Sequence, residues 1–251
     1  MYFDIIASGS KGNATLVKHK DTLILIDLGI TLVRLNEALA SLNLSLKDID
    51  AALFTHEHSD HLNGLKCISP KKMYALKGTL PSSLSNVINK YEPFIIKDIK
   101  ITAFPTSHDA VNPCGYILES DEDKLVYMTD TGVFLDEALP YVKNPDYLVI
   151  ESNHDIQMEM RTHRSFSLKQ RILSEVGHLC NEDSAFAAID IIGDKTKEIV
   201  LAHLSEEANT PEVALEAYHK VFSYKGVDIS KYLVRCASQN SPLLGGHVDE
   251  N

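Results

Sequence analysis

A single α/β domain is what this chain predicts, on three observations. Short apolar runs alternate with segments of helical periodicity, as strand–helix units require. The apolar runs end repeatedly in an acid or an imidazole: Asp27, His56, Asp130, Glu151 and His203, with His108 shortly after another. At 251 residues, 44% hydrophobic and 24% charged, the chain suits one large α/β unit with a well-filled core.

Taken in order, residues 2–7 read as a strand. Ser8-Gly9-Ser10-Lys11-Gly12-Asn13 is a turn into the next strand, its glycines permitting a close backbone approach. It is not a P-loop, because G-K-[ST] is missing and no helix follows. Residues 23–26 form a short, fully apolar strand that ends at Asp27. Helix 31–42 carries Leu32, Leu35, Leu39 and Leu42 at core spacing. Strand 51–54 then delivers a His-rich loop, and a helix begins near His61. A helix near 79–90 precedes strands 95–97 and 99–104, which turn about Asp98. Strands 116–120 and 124–128 make a hairpin across Asp121-Glu122-Asp123. Residues 147–150 are another buried strand, and 156–176 read as an interrupted helix. Asn181-Glu182-Asp183 caps a helix to about 192, and 198–202 is the last clear core strand. Pro211 starts a helix to about 222. A terminal strand over 232–236 closes the domain, 1–236, and 237–251 read as an untethered C-terminal tail.

Charge and cysteine usage narrow the function classes. A formal charge of −11 with a pI near 5.4 argues against a simple electrostatic nucleic-acid binder. It leaves room for a nucleic-acid enzyme, because bound metal ions and local basic residues reverse the sign at a site. Cys67, Cys114, Cys180 and Cys236 are scattered without a C-x-x-C pair, which reads as reduced thiols. With no signal-peptide pattern at the start and no apolar run of membrane-spanning length, the expected setting is the cytoplasm, away from any membrane.

The chemistry centres on His56-Glu57-His58-Ser59-Asp60-His61, an H-x-H-x-D-H cluster at a strand end. Packing does not ask for this pattern, since imidazoles and carboxylates are costly to bury without partners. Metal binding does. Two divalent ions need roughly seven ligands between them, and the cluster supplies four. His108, Asp130 and His203, at other strand ends, are the three expected to complete the set. One sorting places His56, His58 and His108 on one ion and Asp60, His61 and His203 on the other, with Asp130 bridging. Ions about 3.5–4 Å apart clamp a bridging hydroxide, the expected nucleophile. A ligand set of His and carboxylate without Cys admits Zn²⁺, Mn²⁺ or Fe²⁺.

These motifs resemble the metallo-β-lactamase superfamily, whose fold is a four-layer αββα sandwich with a metal site at one edge. Ile26-Asp27-Leu28-Gly29 resembles that superfamily's strand-end Asp-x-Gly, and the likeness runs from about residue 2 to about 215. Asp130 is unlike true lactamases, which tend to have Cys or Ser in that role, and is similar to the bridging Asp of glyoxalase II and tRNase Z. Ala7-Ser8-Gly9-Ser10-x-Gly12-Asn13, His108-Asp109-Ala110, Glu151-Ser152-Asn153-His154-Asp155, Gly177-His178-Leu179-x-Asn181 and His203-Leu204-Ser205 add a closer likeness, to the WalJ (YycJ) branch. Cys180 departs from it, standing where Ser is expected. A small side chain is kept there, but if a hydroxyl at that position serves to bind substrate phosphate, its absence weakens a phosphodiester assignment.

The resemblance implies a DNA-processing, exonuclease-like metal-dependent hydrolase. It carries a general-acid role to His178 and an orienting role to Glu151, similar to the His–Glu arrangement of tRNase Z, while Asp60 is both ligand and catalytic residue. Ser10, Asn13, Asn153, His154 and Ser205 are the candidate substrate-binding residues, as donors to phosphate oxygens. Arg161, His163, Arg164, Lys169 and Arg171, with no acid between 160 and 174, read either as a solvated helix face or as a strip that tracks phosphates. The leading expectation is therefore a dinuclear phosphodiesterase acting on single-stranded DNA, with no obligate protein partner. The alternative is a small-molecule hydrolase of thioesters, lactones or cyclic phosphodiesters on the same metals, which the acidic net charge favours. A third class, a non-catalytic partner protein, is disfavoured by the intact ligand set.

Overall fold

The computed structural model describes residues 1–247, and they build two seven-stranded sheets. The first holds β1 (Tyr2–Ala7), β2 (Ala14–His19), β3 (Thr22–Ile26), β4 (Ala51–Phe54), β5 (Met73–Leu76) and β6 (Asn86–Ile88). The second holds β7 (Phe94–Ile96), β8 (Ile99–Pro105), β9 (Cys114–Glu119), β10 (Lys124–Met128), β11 (Tyr147–Glu151), β12 (Glu198–Ala202) and β13 (Leu233–Cys236). A last strand, β14 (Leu243–Gly246), returns to the first sheet beside β1. Both sheets are mixed, with antiparallel hairpins at one side and parallel strands at the other.

Alternation along each strand sorts side chains into layers. On β11, Tyr147 and Val149 face the first sheet, joining Phe3, Val17, Ile24 and Leu53 in one central core. Leu148 and Ile150 face outward onto α6 (Asn181–Ile191) and α7 (Pro211–Tyr224), through Ala188, Tyr218 and Phe222. On the first sheet, Leu16, Leu25 and Ala52 bury Leu35 and Leu39 of α1 (Leu32–Ser41). The order helix, sheet, sheet, helix is the expected αββα sandwich.

Local chemistry sets the helix starts. Thr31 caps α1 by accepting from the Arg34 amide, and Thr210 caps α7 with Pro211 in the first turn. Cys180 caps α6: its Sγ accepts from the Asp183 amide at 3.4 Å. The four short helices are α2 (Ser59–Leu62), α3 (Leu139–Val142), α4 (Ile156–Arg161) and α5 (Phe166–Ile172).

Two expectations need correction. No helix forms over 79–90. Pro81 and the serines of that stretch make turns, and Asn86–Ile88 extends the sheet edge beside β5, with Asn86 Nδ2 donating to the carbonyls of Met73 and Lys71. Residues 237–247 are not an untethered tail either, while 248–251 lie outside the described residues. Gln239 is buried and donates to the Gly12 carbonyl while accepting from the Lys11 amide, and β14 then pairs with β1. Its apolar alternation is too short to read from sequence, and the Gly-Gly at its end disguises it further. Among the described residues no helix is long and apolar enough to cross a membrane.

Candidate active site

Strand ends carry the site, and the backbone bends there in a costly way. Asp27, Asp130 and His203 follow β3, β10 and β12 closely, and all three adopt left-handed conformations at φ 56°. Non-glycine residues in that region are strained by about 1–3 kcal/mol each and persist where the surroundings over-determine them. Here the bend turns each side chain from its sheet toward the shared edge.

The loop after β4 is clamped from behind. The Asn13 amide donates to the Asp60 carbonyl and the Leu28 amide to the His61 carbonyl, both at 2.8 Å. Gly29 sits so close to this loop that an added Cβ would lie 1.5 Å from the Asp60 carbonyl oxygen. The Asp-Leu-Gly run and the Gly-rich turn therefore act as one backbone cradle for the H-x-H-x-D-H cluster.

Within that cradle the donor atoms of His56, His58 and His108 lie within 4.8 Å of one another, as do those of Asp60, His61 and His203. Asp130 shares a group with His56 and His61, and a further group with Glu151, His178 and His203. Four imidazoles have their Nδ1 atoms occupied: His56 by Thr55 Oγ1 at 3.0 Å, His61 by Asp27 Oδ2 at 2.8 Å, His108 by the Gly177 carbonyl at 3.0 Å, and His203 by Glu151 Oε1 at 2.9 Å. Such partners fix ring orientation and leave Nε2 as the outward donor.

The residues fit a metal on their own chemistry. His56 Nε2, His203 Nε2 and Asp130 Oδ2 are buried without hydrogen-bond partners, and buried polar atoms in native proteins are almost always satisfied. All three belong to the convergent groups, and a donor set of imidazole and carboxylate oxygen suits Zn²⁺, Mn²⁺ or Fe²⁺. Burial, helped by the neighbouring His61, holds the His56 imidazole well below its ordinary range and so keeps it neutral, as a ligand must be. Burial alone would raise the Asp130 carboxyl, but His203 and His61 hold it well below the usual range.

Glu151 is the hub of the opposite half. Fully buried, it accepts from His178 Nδ1 at 2.8 Å and His203 Nδ1 at 2.9 Å through one oxygen, and from the Thr131 and Leu179 amides through the other. Desolvation opposes its charge, yet these imidazole contacts lower its pKa. His178 reaches this position because its loop packs tightly on the end of α5. Its amide donates to the Ile172 carbonyl, and a Cβ on Gly177 would lie 2.2 Å from the Arg171 carbonyl oxygen.

The groups open onto a cavity of about 410 Å³, within the range of small-ligand pockets. Ser10, Asn153 and Ser205 of the expected substrate contacts line it, together with His58, Asp60, His108, Asp130, His178 and His203. Two others are placed elsewhere. Asn13 is fully buried: its Oδ1 accepts from the Gly9 amide, and Nδ2 bonds the Gly9 carbonyl and His61 Nε2. His154 lines a separate cavity with Cys180, so the departure from Ser at 180 falls outside the metal-side cavity and is answered by its capping of α6. The basic strip also divides. Lys169 caps α4 through the Met160 and Thr162 carbonyls, and only Arg164 and Arg171 line the cavity. No pattern in the sequence separates them, because which cations face a cavity depends on how two short helices turn.

Residues 22–204 match the β-lactamase superfamily domain. The chain is 35% identical to exodeoxyribonuclease YycJ of Bacillus anthracis over 92% of both chains, and 37% identical to exodeoxyribonuclease WalJ of Streptococcus pneumoniae over 84% of both. Its fold is similar to that of YhfI from Bacillus subtilis, a metallo-β-lactamase fold protein, with a TM-score of 0.71 at 16% identity over 96% of this chain and 98% of that one.

Proposed function

This chain belongs to the metallo-β-lactamase superfamily as a metal-dependent hydrolase, and from that premise we propose that it cleaves DNA phosphodiesters, taking single-stranded ends as substrate. The observation that carries the reading is His178, poised on Glu151 in the same cavity as both ligand groups. Its relatives in Bacillus anthracis and Streptococcus pneumoniae, named exodeoxyribonucleases, support the choice of polymer.

His56, His58 and His108 would hold one divalent ion and Asp60, His61 and His203 a second, with Asp130 shared between them. Bound there, the ions would lower the pKa of a water toward about 7 and would offset the phosphoryl charge. Asp27 orients His61, and Glu151 orients His203, so the ligand geometry is set before substrate arrives. Because His178 gives its Nδ1 hydrogen bond to Glu151, Nε2 is the atom that hands a proton to the leaving alkoxide. The Glu151 carboxylate stabilises the imidazolium before transfer and fixes the ring's orientation. Ser10 and Ser205 border the cavity as donors to the non-bridging oxygens, while Asn153 beside them gives its Nδ2 to the His203 carbonyl. The four free cysteines suit a reducing cytoplasmic setting.

The test is cleavage of 5′-labelled single-stranded DNA with Mn²⁺ or Zn²⁺, beside Asp60→Ala and His178→Gln. Metal-dependent cleavage abolished by Asp60→Ala is expected. His178→Gln should lose about 10²–10⁴-fold, the usual worth of a general acid, with metal content retained. Absence of cleavage from protein that holds two metals would retire the nuclease reading. Thioesters, lactones and cyclic nucleotides would then be the substrates to try.

A further inference from the structure

Opposite the metal groups, the cavity wall carries a cation fixed in a way that stability alone does not explain. Glu159, on α4, is 0% exposed, and its Oε2 accepts from Arg164 Nη1 at 2.6 Å while Oε1 has no partner. Burying a carboxylate with only one of its oxygens satisfied is a poor route to stability. It is an effective way to hold a guanidinium still. Arg164 Nη2 then donates to Ser205 Oγ at 3.2 Å, and Ser205 follows His203 by two residues. Of the five N–H donors on a guanidinium, these bonds use two. Nε lies 3.5 Å from a carboxylate oxygen of Glu207, a side chain 60% exposed and free to swing into solvent.

We infer that Arg164 is a second phosphate subsite, gripping a substrate phosphate other than the one being cleaved. Glu159 and Ser205 preset the fork, and the exposed Glu207 carboxylate occupies the anion's place until substrate displaces it. A planar, immobilised fork matches two phosphate oxygens, which a flexible lysine would not do. The subsite selects substrates with at least two phosphates in one chain, so it distinguishes a polynucleotide from a single phosphodiester. This rests on the nuclease reading above.

The experiment compares kcat/KM on a short single-stranded oligodeoxynucleotide with that on bis(p-nitrophenyl) phosphate, which has one phosphorus. Because Arg164→Gln leaves Glu159 buried and unpaired and is at risk of unfolding, the paired variant Glu159→Gln/Arg164→Gln is measured beside it. The loss on oligonucleotide should exceed any loss on the monophosphodiester by at least tenfold, mainly through KM. The salt slope of log kcat/KM should flatten by about 0.7, the value for one single-strand phosphate contact. Equal losses on both substrates would make Arg164 structural or place it at the scissile phosphate, and overturn the inference. Equal activity of variant and wild type on both would overturn it too. A wild-type enzyme that hydrolyses the monophosphodiester but no oligonucleotide would instead defeat the nuclease reading, and the subsite with it.

Discussion

Gly29→Ala tests the backbone cradle without touching a ligand. The new Cβ would meet the Asp60 carbonyl oxygen at 1.5 Å and the Asn13 amide nitrogen at 2.8 Å, so one strand of the cradle must retreat by well over an ångström. Retreat breaks the Asn13 amide bond to Asp60 and the Leu28 amide bond to His61, and strains the Gly64 bond to Leu28. At about 1 kcal/mol for each of two broken hydrogen bonds, plus about 1–3 kcal/mol for overpacking, the cost comes to about 3–5 kcal/mol. The same displacement carries Asp60 and His61 away from His203, so affinity for the second metal should fall by at least tenfold while the first group, anchored at His108, falls less. Urea unfolding and titration with Zn²⁺ or Mn²⁺ read the two effects separately. A variant within about 0.5 kcal/mol of wild type, binding two metals with unchanged affinity, would refute the cradle.

Three further outcomes follow from the same geometry. Asp27→Asn keeps the size but weakens the acceptor that orients His61 and ties down Thr55, so metal affinity should fall about 10–100-fold, read by competition with a chromophoric chelator; unchanged affinity would show that His61 is oriented by other means. Removing metal with a chelator leaves His56 Nε2, His203 Nε2 and Asp130 Oδ2 buried without hydrogen-bond partners, so restoring each ion to about 100-fold over its Kd should recover about 2.7 kcal/mol per ion, seen as a rise of about 5–10 °C in Tm for each. A Tm indifferent to Zn²⁺ and Mn²⁺ would count against the site. Burial pushes the Asp4 carboxyl up to about 6, so its contribution to stability is fully present below about pH 4 and is lost as pH rises through 6. Asp4→Asn should therefore stabilise the protein by up to about 3 kcal/mol at about pH 8 and by almost nothing at about pH 4, and an equal gain at both would refute the cause.

What could be read in the sequence and what could not divide along a physical line. The H-x-H-x-D-H cluster stands out in the sequence as a candidate ligand set because its residue types are expensive to bury without partners. That His108, Asp130 and His203 converge with it is legible too, each lying at or near the end of a run whose apolar character survives in a single sequence. In the sequence Asn13 reads as a substrate contact, because a Gly-rich turn beside a His-rich loop invites that role. In the fold its side-chain amide goes instead to Gly9 and His61, which the tertiary fold brings beside it. The β14 strand has no signature in the sequence because pairing, not propensity, creates it: four residues ending in Gly-Gly become a strand only where β1 offers a free edge. The Glu159–Arg164 pair shows the same limit more sharply. In sequence it is an acid and a base five apart in an interrupted helix, which predicts a surface contact of little worth. Burial turns it into a fixed cation across the cavity from the candidate ligand groups, and burial belongs to the tertiary fold. Strand-end chemistry is thus written residue by residue, whereas the facing cavity wall is assembled from short elements whose orientation no local pattern encodes.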